Sequence, residues 1–98
     1  MYKVTNPATG VVIAEYPTAT DEQIIASIDS ADRQFSVWKN SPLNDRVKML
    51  RRVSALFAER AEQLAELVTV EMGKRLVEAR GEISVVVDIF NYYADNAE

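Results

Sequence analysis

Apolar residues along the chain follow two different periods, and the change between them divides the sequence. Near the start, Lys3 to Thr5 and Val11 to Tyr16 form two short runs that read as strands. Between them stands Asn6-Pro7-Ala8-Thr9-Gly10. Proline presets φ for a turn, asparagine can bond its own backbone, and glycine accepts positive φ, so residues 1–17 read as a β-hairpin. Val11, Val12 and Ile13 are β-branched and suit a pleated surface. A lone hairpin is marginal in water, so this one needs partners.

From Thr20 the period becomes helical. Thr20 and Gln23 have the spacing of a capping box, and Ile24, Ile28, Ala31, Phe35 and Trp38 then line one stripe. This predicts a first helix over 20–40, stopped by Asn40-Ser41-Pro42, with Ser41 as the next cap and Pro42 in the next first turn. A second helix is predicted over 42–73. Its stripe is Val47, Leu50, Ser54, Phe57, Ala61, Leu64 and Val68, widened by Met49, Val53 and Leu56. Ser54 is the polar member, small enough to sit in the row with its hydroxyl bonded one turn back. Gly73 is the natural residue to end this helix, with Lys74 and Arg75 beside its negative end.

The last segment, 76–97, carries Ile83, Val86, Val87, Phe90 and Ala94 at helical spacing. Its Val85-Val86-Val87 run would also suit a buried strand, but the length favours a helix. The fold class is therefore α+β: an N-terminal hairpin followed by three or four α-helices, the number depending on whether 42–73 is continuous or breaks near 60. Helices two and three carry more apolar surface than one stripe each can bury. That surplus is expected to face something outside these residues, or a second copy of them.

Composition narrows the chemistry. The 98 residues contain no Cys and no His, which excludes disulfides, thiolate and imidazole metal ligands, and Ser-His or Cys-His nucleophilic pairs. The 3 Gly are too scattered for a phosphate-binding loop. The net charge is −4, and only 43–60 is basic, with a net of +3. An acidic chain with one basic helix face argues against nucleic acid as a partner. No apolar run approaches the length that spans a bilayer, and the first residues lack a signal-peptide core. A cytoplasmic location and no membrane partner are the expectation.

Few side chains remain as candidates. Glu71, Glu78 and Glu82 could bind a hard cation or exchange protons, but read better as a solvated edge paired with Lys74 and Arg80. Tyr92, Tyr93, Phe90 and Trp38 could stack a ring, but read better as core or interface. Lys74 suits the helix end better than a Schiff base.

The order of motifs resembles the aldehyde dehydrogenase superfamily over essentially the whole chain. The Asn6–Gly10 turn and Val11–Tyr16 strand look like its opening hairpin, and Ala31 through Trp38 like its first helix. Arg46, Leu50 and Leu56-Phe57 resemble the next helix. Glu71-Met72-Gly73-Lys74, Glu78-Ala79 and Gly81-Glu82-Ile83 are similar to the pattern E-x-G-K-P-x-x-E-A-x-x-E, and Tyr92-Tyr93-Ala94 to the aromatic pair that follows. The Gly-Glu-Ile ending is most like the succinate-semialdehyde dehydrogenase branch. Arg75 departs, standing where the family usually has Pro.

The resemblance implies the N-terminal part of an α/β cofactor-binding domain in a much longer enzyme. That enzyme would use NAD or NADP, oxidise a small aldehyde such as succinic semialdehyde to the acid, and form a homo-oligomer, a dimer or tetramer. Its nucleophilic Cys, general-base Glu and nucleotide-binding loops would all lie later in the chain. No catalytic or cofactor-binding residue is therefore placed here, and these residues alone are expected to be inactive and to hold no cofactor. Two roles carry over: backbone carbonyls of Val4 and Glu71 for a structural monovalent cation, and Gly81 and Val85 at the substrate entrance. The rest of the enzyme chain would be the partner that covers the surplus apolar faces. The rival reading is a self-standing helical module that binds another protein.

Overall fold

The computed structural model describes all of residues 1–98. Strands β1 (Tyr2–Thr5) and β2 (Val12–Tyr16) form a two-stranded antiparallel hairpin. Their register pairs Tyr2 with Tyr16, Lys3 with Glu15 and Val4 with Ala14, then shifts so that Thr5 meets Val12. The shift leaves Ile13 as the extra residue of a bulge. Lys3 and Glu15 face each other as an ion pair at 3.3 Å. In the turn, the Asn6 side chain accepts from the Ala8 N–H at 2.9 Å, and Gly10 takes φ 71°.

Helix α1 (Asp21–Trp38) starts at the expected capping box: Gln23 N–H donates to Thr20 Oγ1, and Thr20 N–H donates to Gln23 Oε1. Helix α2 (Leu43–Glu59) starts differently from expectation. Pro42, not Ser41, is its N-cap, and no side chain caps it. The Pro42 carbonyl takes the first helical bonds, from the N–H groups of Asp45 and Arg46, so the helix begins one residue beyond the proline.

The 42–73 segment is two helices. Arg60, at φ −100° and ψ 14°, leaves the helical region and separates α2 from α3 (Ala61–Met72). Its N–H still bonds Leu56 and its carbonyl still accepts from Leu64, so the break costs little hydrogen bonding. The bend lets both helices lie against one partner, α4 (Leu76–Asp95). Every member of the expected stripe from Val47 to Val68 is buried or half-buried. The centre is small: Ala65 and Ala79 are wholly enclosed and Ile83 nearly so, with Ala61, Leu64, Val68 and Leu76 packed around them. Alanines at the contact let the α3 and α4 backbones approach closely. Phe57 of α2 stacks on Phe90 of α4 with centroids 5.6 Å apart.

Ser54 behaves otherwise than predicted. Its hydroxyl donates across the interface to the Val87 carbonyl of α4 at 3.3 Å rather than back along its own helix. A buried hydroxyl needs a partner, and here the partner ties α2 to α4.

Helix α1 is the largest departure. It buries no residue and lies largely off the α2–α4 bundle, so Ile24, Ile28 and Phe35 stay open while Trp38, at its end, meets the start of α2. Surplus apolar surface is found on helices two and three as expected, with Met49, Leu67, Val77, Val85 and Ile89 exposed, and the open stripe of helix one adds to it. The molecule spans 48 × 38 × 15 Å, a slab one helix thick. Its radius of gyration is 17.5 Å, against about 12.6 Å for a compact domain of this length.

Candidate functional site

Gly81 and Val85 lie one turn apart on α4, on the face turned away from Ala79 and Ile83. Val85 is exposed, and a Cβ built at Gly81 would meet nothing within 4 Å. Together they form an open apolar step on the helix surface, continued by Val77 and Ile89. Nothing in this step can act as acid, base or nucleophile.

Val4 is half-buried in β1, and Glu71 is exposed in the last turn of α3. Their segments meet through a neighbouring contact. Gly73 ends α3 at φ 73°, and a Cβ there would come within 2.9 Å of Pro7 Cγ in the hairpin turn. The turn is thereby seated against the α3–α4 corner. The Glu71 carbonyl lies in the last turn of α3, past the Thr69 carbonyl that accepts the Gly73 N–H, where helical donors run out.

Two of the three candidate carboxylates are spent on ion pairs, while Glu71 makes none. Glu78 pairs with Arg75 at 2.8 Å, and Glu82 with Lys74. Arg80 does not serve either of them. It reaches from α4 to Glu62 on α3, with both Nε and Nη2 donating to the carboxylate. No group of three acidic, His or Cys side chains is placed to hold a metal ion. Lys74, paired with Glu82, sits at the α3–α4 corner as a charge partner. Tyr92 and Tyr93 meet edge to face at 5.4 Å. Trp38 stands apart from them, lining an open apolar pocket with Leu43, Val47, Leu50 and Ala97.

The Arg80 hydrogen bonds hold the Glu62 carboxyl below its usual range, and Glu62 in turn raises the Arg80 guanidinium. A depressed carboxylate contributes stability that is complete above its unfolded pKa and lost as pH falls through the folded value. Arg80→Gln is therefore expected to destabilise the α3–α4 pair at neutral pH by a modest amount, because both partners are solvated. The difference from the unaltered chain should shrink as pH falls through the lowered folded pKa of Glu62 and vanish once Glu62 is protonated in both. Thermal melts at descending pH check it; a gap that persists in acid would mean that Arg80 acts by packing.

The sequence profile described as "Aldehyde dehydrogenase family" matches residues 1–98. The chain belongs to the aldehyde dehydrogenase family. The succinate-semialdehyde dehydrogenase [NADP(+)] of Deinococcus radiodurans is 37% identical over 94 residues, 96% of this chain and 20% of its own length. The glutarate-semialdehyde dehydrogenase of Pseudomonas putida is 38% identical over 96 residues, 98% of this chain and again 20% of its own length. The crystal structure of succinic semialdehyde dehydrogenase from Streptococcus pyogenes, in complex with NADP+, superimposes with a TM-score of 0.93 at 30% identity. It matches 99% of this chain and 22% of that one. The chain thus spans about a fifth of the length of the relatives it matches, and its hairpin and four helices are an N-terminal part of that fold.

Aldehyde dehydrogenase membership and the hairpin-plus-helices fold agree with the sequence reading. The self-standing interaction module is the weaker alternative. No helix is long and apolar enough to cross a membrane.

Proposed function

We propose that this chain is the scaffold of the substrate entrance in an NAD(P)-dependent aldehyde dehydrogenase that oxidises a semialdehyde, with succinic semialdehyde the first candidate. The family match over residues 1–98, with semialdehyde dehydrogenases among the relatives at 36–38% identity, carries the reading. The nicotinamide cofactor would supply the hydride acceptor. No residue of this chain is assigned to bind it, and with neither Cys nor His the chain supplies no nucleophile of the family's kind.

What these residues contribute is shape. Gly81 and Val85 present a surface without side-chain bulk at one position and without charge at either, which suits the passage of a small aldehyde. The Pro7–Gly73 contact supports a cation-binding role for the Val4 and Glu71 carbonyls, because it seats the hairpin beside the end of α3. Backbone oxygens are the hard donors that a monovalent cation takes, and the free carbonyl at Glu71 fits that role. The cation would there hold hairpin and helix together. Assembly as a homo-oligomer in the cytoplasm belongs to the same reading.

The test is a chimera in which this chain replaces the matching 94 residues of the Deinococcus radiodurans enzyme. The chimera is expected to reduce NADP+ with succinic semialdehyde, and the 98-residue chain alone to give no turnover. Turnover by the verified 98-residue chain would overturn the reading. So would a folded, NADP-binding chimera that oxidises no semialdehyde.

A further inference from the structure

Ser54 is the only polar residue that the fold buries, 2% exposed in a stripe of otherwise apolar side chains. Packing alone gives no reason for a hydroxyl there, since burying one costs free energy unless it is bonded. The bond it makes crosses to another helix, from the hydroxyl to the Val87 carbonyl of α4 at 3.3 Å. Val87 stands two residues beyond Val85, and Gly81 stands one turn before Val85. The tie therefore falls at the end of the segment that presents the open step.

Three polar ties reach α4 within that stretch. Arg80 bonds Glu62 of α3, Glu82 bonds Lys74 of the linker before α4, and Val87 accepts from Ser54 of α2. The first two are ion pairs between side chains a third or more exposed, where water competes for both partners. The third comes from an enclosed hydroxyl, and a hydrogen bond shielded from water is stronger and more rigid. The apolar contacts at Ile83 and between Phe57 and Phe90 are non-directional, so they fix the spacing of the helices better than their rotation.

Rotation is what the open step depends on. Val85 is exposed on one side of α4, and Val87 is half-buried about 200° round the helix from it. A turn of about 10°, close to the tolerance of a working site, moves a side-chain tip about 1 Å at the 5–6 Å radius of a helix. A shift of that size changes how a bound molecule is held.

We propose that Ser54 is a positioning residue for the substrate entrance. Through the Val87 carbonyl it fixes the rotation of α4, and thereby where Gly81 and Val85 stand. It touches neither aldehyde nor cofactor. The proposal rests on the reading of Gly81 and Val85 as entrance residues.

The experiment puts Ser54→Ala into the chimera with the Deinococcus radiodurans enzyme and measures the aldehyde and cofactor constants separately. KM for succinic semialdehyde should rise at least about threefold, within what one lost hydrogen bond supplies. Both kcat and the KM for NADP+ should stay within about twofold, the pattern of altered substrate binding. Arg80→Gln, which cuts a solvated tie, should leave all three constants in the same range. Amide exchange on the 98-residue chain reads the clamp without turnover: Gly81 to Val87 should exchange at least about threefold faster in Ser54→Ala. An active chimera in which Ser54→Ala lowers kcat and leaves the aldehyde KM alone would show a structural role and overturn the proposal. An equal rise in KM from Arg80→Gln would overturn it as well, and so would unchanged exchange over Gly81 to Val87. A chimera without turnover counts against the semialdehyde reading, and the exchange experiment then decides the clamp.

Discussion

Ile83→Ala is expected to cost about 2–5 kcal/mol and to abolish the cooperative melt of the α2–α4 bundle. Ile83 is the only large side chain among the buried residues, 6% exposed, and its companions at the centre are alanines. Truncating it leaves a cavity that Ala65 and Ala79 cannot fill. The total stability of a domain this size is only about 5–15 kcal/mol, so one such loss takes a large share of it. Ile28→Ala removes the same atoms from α1, where the side chain is 63% exposed, and should change stability by less than about 0.5 kcal/mol. Circular-dichroism melts of the two variants side by side check the contrast. Equal losses would mean that α1 packs on the bundle in solution.

Gly73→Ala should have the next largest effect, about 2–3 kcal/mol, and for two separable reasons. Gly73 holds the left-handed conformation that ends α3, which costs a residue with a Cβ about 1–2 kcal/mol. The added Cβ would also stand 2.9 Å from Pro7 Cγ, closer than carbon atoms tolerate, so the hairpin turn must move away. The double variant Pro7→Ala/Gly73→Ala removes Cγ and relieves the contact, while the backbone cost remains. A double-mutant cycle should therefore show a coupling of about 1 kcal/mol between the two positions. Additive effects would show that the hairpin is not seated on the α3–α4 corner.

Much of the local structure was legible because its causes are local. The capping box at Thr20 and Gln23, the Asn6–Gly10 turn and the left-handed end at Gly73 each depend on residues within a few positions of one another. The stripe from Val47 to Val68 was legible too, since helical period alone places those residues on one face. Less local features were read less well. The cap of α2 moved from Ser41 to Pro42, and Ser54 bonded α4 instead of its own helix. Arg80 chose Glu62, on another helix, over the glutamates beside it in sequence. The ambiguity of the Val85–Val87 run resolved to helix because α4 must run alongside both α2 and α3. For the candidate site, the one-turn spacing of Gly81 and Val85 was already in the sequence. That they share an open face was not.

By itself, the sequence determined the elements, the absence of a Cys or His nucleophile, and membership of a family through an unbroken order of short motifs. These follow from residue type and near-neighbour spacing, which survive without a partner in view. Only the tertiary structure decided which apolar stripes are used. The pattern marks α1 as amphipathic as plainly as α2, yet α2 packs on α4 while α1 touches the bundle only at Trp38 and leaves the rest of its stripe open. Periodicity records that a face is meant to be buried. What buries it depends on where the chain carries that face, and for α1 the structure carries it away from its own bundle.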